Sequence, residues 1–562
     1  MKKFIISVLM FAVLSSLFTY LVFSADIEPK RWTTSFESGT PYFEGHGGPE
    51  KITVTDEAAN NGKYSLLVTN RRQSWHGAAL RIERIIEPYY EYEISVWVLP
   101  KNPDTSRFIL STQIIYFDGS AGARLVEKDV SSSDGWTKLT GTYVFPGRTS
   151  LMKIYIENDN PTAEFYIDDV SIKPLRRSHL PDIVKLPALK DTYEDHFLLG
   201  ASVRTEHLAG ANLALLKKHF SLITSMTFHS EITVTGVNRY SFGMNDYITR
   251  ILNTAKLPIH GHSIIYDGTH SDYLTRKSNG TLFTRSEAIK SMTDYVNALM
   301  GRYAGKLYSI DVVNEAFEYW RSDFADRIAI DWRQGTIDNL PFYQAFANGA
   351  NSSKGEHGSD YIEMAFRLAR KLDPEIKLYY NADKAEDINH IKAVSAMVKD
   401  LNSKWKAEGN SGLLVDGVGL QGIFGLDVSL EDVETNIKRL ISTGVQVRIS
   451  EFQIGIYGPS NPPPSTNSDG KLKPTPELLH RQAIKYANFM NLFKKYSKDI
   501  DCVNINGIED SLAWIRYSYP LLLNPDYSPK PAYFAVFDPD GYLAGKYDTE
   551  EKRQEWVKEN IE

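Results

Sequence analysis

The sequence predicts two folded regions, a β-sandwich (jelly-roll) module followed by an α/β barrel of the (β/α)8 or TIM type. Three observations predict this order. Residues 26–174 hold short alternating strands separated by Gly, Pro, Asn and Asp, which is typical of a sandwich. Residues 174–187 contain three prolines, as a linker does. After that stretch, apolar strands alternate with helical segments, which favours βα units around a parallel barrel.

The 562 residues divide accordingly into five predicted segments. These are a signal peptide at 1–25, a β-sandwich at 26–175, a linker at 176–192, a (β/α)8 barrel at 193–545 and a tail at 546–562. The clearest predicted strands of the module are Tyr64–Thr69, Tyr92–Val98, Arg107–Tyr116, Met152–Glu157 and Glu164–Asp168, and the clearest helices of the barrel are Asn212–Phe220, Arg285–Tyr303, Asp360–Leu372 and Glu477–Tyr496.

The N-terminus has the pattern of a secretory signal. Lys2 and Lys3 precede an apolar run from Phe4 to Phe23, and the small residues Ser24 and Ala25 follow. The run is long for a signal, so an uncleaved membrane anchor is the alternative. We expect a secreted protein without a stable membrane partner.

Composition excludes several classes of function. The single cysteine, Cys502, rules out intramolecular disulfides and cysteine-based metal sites. A net charge of −7, with no dense basic run, argues against a nucleic-acid partner. The sequence lacks the motifs of serine hydrolases, zinc peptidases and nucleotide-binding proteins. No cofactor is therefore expected for catalysis, and the oligomeric state is left open. The 32 Tyr, 26 Phe and 9 Trp by themselves indicate a large core, and they also fit a protein that stacks flat ligands such as sugar rings.

Two predicted barrel strands end in a glutamate. Residues 308–315 and 445–451 are runs of Val and Ile that close on Glu315 and Glu451. Because the carboxyl ends of barrel strands face the active site, we expect both side chains there. A protonated acid opposite an ionised carboxylate is the equipment for cleaving a glycosidic bond.

These strand ends resemble glycoside hydrolase family 10, the endo-xylanases. Asp311-Val-Val-Asn-Glu315 resembles the acid/base motif of the family, and Ile449-Ser-Glu-Phe452 resembles its nucleophile motif. The resemblance spans roughly residues 190–540 and implies that Glu315 is the general acid/base and Glu451 the ionised nucleophile. It also implies sugar contacts at Asn314, His262, Gln421 and Trp514.

The pocket departs from the family pattern at several positions. The histidine that hydrogen-bonds the family nucleophile would fall at Ile423, and the aspartate that holds that histidine would fall at Gln453. We therefore expect another group to orient Glu451, with Gln453 as the candidate. At the fifth strand the Asn-Asp-Tyr-Asn of the family appears as Asn381-Ala-Asp-Lys384. Further changes lie at Met226, Thr227 and Ser230, at Tyr266-Asp267 and at Asn506.

The N-terminal region resembles a carbohydrate-binding module of family 22. Phe36-Glu-Ser-Gly39, Asn70–Gly77 and Phe165–Val170 carry the likeness. It implies ligand contacts at Arg71, Trp75, Tyr116, Tyr155 and Glu157. It also implies a structural calcium, for which Glu37 and Asp169 are the candidate ligands, with simple solvation of both acids as the alternative.

The sequence leaves three functions open. The first is a secreted retaining endo-β-1,4-xylanase whose module binds xylan. The second is a glycosidase of the same mechanism that acts on another β-glycan or on short xylosides. The third is a xylan-binding protein without catalytic activity. The retention of both glutamates argues against this third function, because a site without catalysis has no physical need to keep two carboxylates that repel each other.

Overall fold

A computed structural model describes residues 29–39, 43–102, 105–115, 120–147, 149, 151–266, 272–457 and 474–561. The predicted signal peptide and Tyr116 lie outside these residues. The chain divides into two compact units, with the main boundary between Arg176 and Arg177. The predicted bounds of the five segments stay predictions.

The first unit is a sandwich of two antiparallel sheets. One sheet has the strand order β3-β4-β11-β6-β9, with β1 also paired to β11, and the other has the order β2-β5-β10-β7-β8. The strands are β1 (Trp32–Thr34), β2 (Phe43–His46), β3 (Lys51–Thr55), β4 (Ser65–Thr69), β5 (Gly77–Arg81), β6 (Tyr90–Pro100), β7 (Thr105–Ile115), β8 (Ser120–Ser131), β9 (Thr137–Val144), β10 (Leu151–Asn158) and β11 (Phe165–Arg177).

The core of the sandwich comes from residues that alternate along each strand. In β6, Ile94, Val96 and Val98 are buried between the sheets, whereas Trp97 is only half-buried on the outer side. This period of two is what a sheet with one covered face requires.

The second unit is a closed barrel of eight parallel strands. These pair in the order β12-β13-β16-β17-β18-β19-β21-β22, and β22 pairs back to β12. The strands of this unit are β12 (Leu198–Val203), β13 (Leu222–Ser225), β14 (Val234–Gly236), β15 (Arg239–Tyr240), β16 (Ile259–Gly261), β17 (Ser309–Asn314), β18 (Lys377–Ala382), β19 (Gly417–Leu420), β20 (Ile423–Phe424), β21 (Gln446–Ile454) and β22 (Ile500–Ile505).

Helices surround the barrel, and local sequence explains where several begin. Thr284 and Glu287 form a capping box at the start of α6, and Thr475 with Pro476 starts α12. The α-helices are α1 (Leu180–Ile183), α2 (Gly210–His219), α3 (Ser230–Thr233), α4 (Gly243–Thr254), α5 (Asp272–Thr275), α6 (Arg285–Tyr303), α7 (Phe324–Ile330), α8 (Pro341–Ala347), α9 (Asp360–Leu372), α10 (Ile388–Ala407), α11 (Leu430–Ile441), α12 (Pro476–Lys495), α13 (Pro531–Phe537), α14 (Pro539–Leu543) and α15 (Glu550–Ile561).

The predicted fold class is confirmed, a sandwich followed by a (β/α)8 barrel. The stretch predicted as a linker contains α1, and the stretch predicted as a tail contains α15. In the part of the chain that the structure describes, no helix is long and apolar enough to cross a membrane.

Candidate active site

Glu315 follows directly after β17, a strand in which every residue is buried. Its φ of 52° lies in the left-handed region, which is uncommon for a residue with a side chain and is found at functional sites. The Glu315 amide donates to the carbonyl of Asn381, 3.1 Å away, at the same end of β18. The acid is thereby fixed at the carboxyl end of the barrel.

Gln421 contacts both glutamates. The backbone amide of Glu451, in β21, donates to the backbone carbonyl of Gln421 at 2.7 Å. The Nε2 of Gln421 donates to Oε1 of Glu315. The two glutamates that the sequence singles out therefore lie on either side of one glutamine, although 136 positions separate them in the chain.

Two asparagines hold the Glu451 carboxyl. Asn381 Nδ2 donates to Glu451 Oε1 at 3.1 Å and to Asn314 Oδ1 at 2.8 Å. Asn506 Nδ2 lies 3.5 Å from Glu451 Oε2. The expectation that Gln453 orients Glu451 is wrong, because neither polar atom of its buried side chain has a partner among the described residues.

A chain of polar side chains inside the barrel supports Asn381. Thr224 donates to Asn504 Oδ1 at 2.8 Å, and Asn504 Nδ2 donates to the carbonyl of Ser450 at 2.8 Å. Ser450 Oγ in turn donates to Asn381 Oδ1 at 2.6 Å. Since Asn381 can accept from Ser450 only through its carbonyl oxygen, its amide nitrogen must face Glu451 and Asn314.

His262 is buried beside the glutamate pair. Its Nδ1 lies 2.8 Å from Asp311 Oδ2, and His260 Nε2 lies 2.9 Å from the same oxygen. Burial disfavours the charged imidazole, but Asp311 and the two catalytic-site glutamates together raise the pKa of His262. Burial lowers the pKa of His260 to about 4, with Arg448 acting in the same direction. Of the two histidines, His262 therefore binds a proton more readily, and its charge acts on Glu451.

Burial raises the pKa of Glu451 to about 7, and Glu315 acts in the same direction, whereas His262 and Asn381 oppose the rise. The sequence predicts an ionised Glu451. In the free protein that state prevails only above the raised pKa.

A third carboxyl group lies on the same rim. Asp383 follows β18, and its Oδ1 is 3.6 Å from His390 Nε2. Burial and the charge of Glu315 raise the pKa of Asp383 to about 7. Tyr319 stacks on His390 with ring centroids 5.0 Å apart. Asp383 thus adds an acidic group where the family pattern has a tyrosine.

The structure brings the other predicted barrel residues together only in part. Asn314, Gln421 and His262 surround the glutamates, whereas Trp514 is 58% exposed. Burial raises the pKa of Tyr266 to about 12, and the charges of Glu315 and Glu451, which lie close to it, act in the same direction. Asp267 lies outside the described residues.

In the module, Tyr155 and Glu157 share one face of β10, as their spacing predicts. Tyr155 stacks on His46 with ring centroids 3.8 Å apart. Glu157 accepts a hydrogen bond of 2.6 Å from Ser111 Oγ, and burial raises the pKa of Glu157. Trp75 is 47% exposed, so its indole is available to a ligand.

Arg71 is placed differently from its prediction as a ligand contact. It is only 3% exposed, and its guanidinium donates to backbone carbonyls that include those of Ser74, His76 and Asn158. All the donors of Arg71 are directed at the backbone, so the geometry favours support of the loop that carries Trp75 over direct sugar contact.

Glu37 and Asp169 line one cavity of the module. Glu37 Oε1 accepts from the amides of Lys63 and Tyr64, and Asp169 Oδ2 accepts from Asn60 Nδ2. Each carboxylate keeps one oxygen that takes no hydrogen bond from the described residues. Among those residues no three His, Cys, Asp or Glu side chains converge on one point. A calcium here would therefore need carbonyl, amide or water oxygens as further ligands.

Sequence reasoning missed the roles of several polar residues. Asp311 stands in the acid/base motif, and Asn381 and Asp383 stand where the fifth strand departs from the family pattern. For Asp311 and Asn381, the available signal is a polar residue within an apolar strand. His46 and His260 give no such signal, because their partners come from other strands.

Comparisons with known proteins agree with this geometry. Residues 188–539 match Glycosyl hydrolase family 10, and residues 33–162 match a Carbohydrate binding domain. Endo-1,4-beta-xylanase A of Thermotoga neapolitana is 28% identical over 527 residues, which cover 91% of this chain and 46% of that protein. A Beta-1,4-xylanase of Dictyoglomus thermophilum is 28% identical over 363 residues, 63% of this chain and 91% of its own. The chain spans about half the length of the first of these relatives.

Solved structures show the same architecture. The N-terminal endo-1,4-beta-D-xylanase 10B of Clostridium thermocellum, comprising CBM22-1 and GH10 modules complexed with xylohexaose, covers 91% of this chain and 97% of its own, with a TM-score of 0.52 and 22% identity. A GH10 xylanase from termite gut with a bacterial Ig-like domain covers 68% of this chain and 85% of its own, with a TM-score of 0.56 and 26% identity.

Proposed function

Because the chain belongs to glycosyl hydrolase family 10, we propose that it is a secreted endo-β-1,4-xylanase that cleaves xylan with retention of anomeric configuration. The observation that carries this proposal is Gln421, whose backbone carbonyl accepts from the backbone amide of Glu451 and whose side-chain Nε2 donates to the carboxyl of Glu315. The charge of Glu315 raises the pKa of the Glu451 carboxyl, so the two carboxyl groups lie close enough to interact, as a double displacement needs.

In the first step, Glu315 protonates the glycosidic oxygen while Glu451 attacks the anomeric carbon, so that the glycosidic bond breaks and a glycosyl-enzyme forms. In the second step, Glu315 takes a proton from water, and the hydroxyl group displaces Glu451. Glu451 must be ionised in the first step, and the charged His262 beside it favours that state. Asn314 would bind the 2-hydroxyl of the sugar through the amide nitrogen that its bond to Asn381 leaves available.

The module would bind the same polysaccharide through Trp75, Tyr155 and Glu157. A structural calcium at Glu37 and Asp169 would tie the segment after β1 to the end of the sandwich. Calorimetry in calcium and in EDTA measures the stabilisation that bound calcium would give, and an unchanged Tm would exclude a structural calcium.

The basic and apolar pattern of residues 1–25 supports secretion, which the N-terminal sequence of exported protein would test.

A second candidate is a glycosidase of the same mechanism with another preferred substrate. Asp383 and Lys384 replace the aromatic and amide groups of the family pattern beside Glu315. A changed rim alters which sugar or chain length is bound, because lost hydrogen bonds to hydroxyls cost about 1–3 kcal/mol each. A panel of xylan, mixed-linkage glucan, cellulose and short xylosides separates this candidate from the first.

The decisive test combines two substitutions with product analysis. We expect Glu315→Ala to lower xylan turnover by about 10²–10⁴-fold, since proton donation is lost, and Glu451→Ala to abolish it. NMR of the first products should show the β-anomer. Unchanged hydrolysis in both variants, or α-anomeric first products, would refute the proposal. Circular dichroism of each variant controls for folding.

A further inference from the structure

The connection from β17 to α9, residues 315–359, begins with the proposed acid/base and is far longer than the roughly 2–6 residues usual between a strand and the next helix of a barrel. In a (β/α)8 barrel, connections at this end of the strands carry the substrate contacts. Near its start, Glu318 to Arg321 form a tight turn, in which the backbone amide of Arg321 donates to the backbone carbonyl of Glu318 at 3.0 Å. Tyr319 and Trp320 form the tip of this turn.

Ion pairs hold this turn in place. Glu318 is only 5% exposed, and its Oε2 lies 2.8 Å from Arg327 Nη1 and 3.6 Å from Arg321 Nε. The backbone amide of Glu318 also donates to the backbone carbonyl of Gly335 at 2.9 Å. Because a buried carboxylate is costly unless it is paired, these contacts fix Glu318 and with it the turn. Trp320 nevertheless remains 60% exposed.

Tyr319 connects the turn to the proposed acid/base. Its ring stacks on His390 of α10 with centroids 5.0 Å apart, and the ring of Trp320 packs edge-on against Tyr319 with centroids 5.2 Å apart. Burial raises the pKa of the Tyr319 phenol, and the charges of Asp383 and Glu315 act in the same direction. The phenol therefore lies near both carboxyl groups, and the exposed indole follows directly after it.

The order of the strands places this aromatic pair on one side of the active site. Glu315 follows β17 and Asp383 follows the neighbouring β18, whereas Glu451 lies on β21, two strands further round the barrel. In the proposed reaction, the acid protonates the oxygen that departs with one part of the substrate, whose sugars are called here the leaving sugars. Side chains beside Glu315 on the β17 and β18 side are therefore expected next to the leaving sugars.

On the basis of the proposed function, we propose that Tyr319 and Trp320 form a binding site for the leaving sugars of a xylan chain, in which the exposed indole stacks on a sugar ring. An indole offers a flat apolar surface that matches the apolar face of a sugar. The braced turn holds this surface ready, so that little conformational freedom is lost on binding. The site takes no part in bond breaking. It determines which bond of a chain is cleaved and how long a chain is preferred.

Two substrates test this site in the full-length protein: xylohexaose labelled at its reducing end, and an aryl β-xylobioside, whose leaving group contains no sugar. We expect Trp320→Ala to lower kcat/KM for xylohexaose about tenfold, since one stacked ring is lost, and to move cleavage towards the reducing end. Hydrolysis of the aryl xylobioside should stay within about twofold of the parent. Trp320→Tyr keeps an aromatic face and should restore most of the parent behaviour. Ile330→Ala, at a residue 76% exposed in α7 of the same connection, should match the parent.

The outcomes separate this site from the proposed function. A parent protein that cleaves neither substrate would refute the proposed function, and the site for the leaving sugars with it. A parent that cleaves both substrates, with the same rates and the same choice of bond in Trp320→Ala, would refute the site alone. Equal losses of Trp320→Ala on the two substrates would also refute it, because Trp320 would then support the acid/base rather than bind a sugar.

Discussion

At the scale of single residues, Glu451 shows how this protein accommodates a charged group that it needs for chemistry. The carboxyl is buried, and burial opposes its ionisation. Asn381 and the charged His262 offset this opposition only in part, so the pKa remains raised. The site therefore holds the proposed nucleophile in an environment that destabilises the folded protein whenever the group is ionised.

This arrangement predicts that Glu451→Gln is a stabilised protein at alkaline pH. When folding raises the pKa of an acid, the folded protein loses stability as the pH rises from the ordinary pKa of that acid through the raised pKa. Each pKa unit is worth about 1.4 kcal/mol, so the rise from 4.5 to about 7 corresponds to about 3 kcal/mol at most. We expect urea denaturation to show that gain at pH 8 and little gain at pH 4, where the carboxyl is protonated in both states.

Glu434 provides the control for Glu451→Gln. Its pKa is lowered to about 2, chiefly by Lys495 and also by Tyr496 and Lys438. Glu434→Gln should therefore lose rather than gain stability at pH 8. A Glu451→Gln protein that is no more stable than the parent at pH 8 would contradict a raised pKa for the nucleophile.

At the scale of elements, β21 carries the proposed nucleophile and also two buried polar groups. Arg448 forms a fully buried ion pair with Asp501 of the neighbouring segment at 3.0 Å. Gln453 lies two residues beyond Glu451, with both polar atoms of its side chain unpartnered among the described residues. A buried amide without hydrogen bonds costs about 1–3 kcal/mol.

Removing that amide should stabilise the barrel. We expect Gln453→Leu to raise the free energy of unfolding by about 1 kcal/mol, because the side chain keeps its volume and loses its unsatisfied groups. Activity should stay within about twofold of the parent, since Gln453 does not contact Glu451. Urea denaturation and initial rates on xylan measure the two effects.

Gln482 is the matched control for Gln453→Leu. It is also fully buried, but its Nε2 donates to the carbonyls of Ile454 and Tyr519. Gln482→Leu should destabilise the protein. A large loss of turnover in Gln453→Leu would instead indicate that Gln453 orients the nucleophile.

The elements also show what the sequence reveals and what it conceals. Helices α6 and α9 have the predicted bounds, because their apolar period and end residues are local properties. Glu315 and Glu451 follow from their motifs. The polar chain through Asn504, Ser450 and Asn381 does not, because its members come from three strands far apart in sequence. Only the closure of the barrel brings them into contact.

At the scale of the whole molecule, the proposed function divides the degradation of an insoluble polysaccharide between the two units. The barrel carries the pair of glutamates, and the module carries an exposed tryptophan with a tyrosine and a glutamate on one sheet face. A bound module raises the local concentration of polysaccharide around the barrel without any change in the chemistry. The contribution of the module should therefore depend on the physical form of the substrate.

Tyr155→Ala should lower hydrolysis of insoluble xylan about tenfold while leaving the rate on soluble xylo-oligosaccharides unchanged. The substitution removes the ring that stacks on His46 and with it the flat surface available to a sugar. Reducing-sugar release on both substrates measures the ratio, and depletion of protein by insoluble xylan measures binding directly. Tyr64→Ala, a half-buried tyrosine of the same unit that lies before β4, controls for general damage to the module. Equal losses on the two substrates would place the effect of Tyr155 in folding, and no loss on either would remove this face of the module from polysaccharide binding.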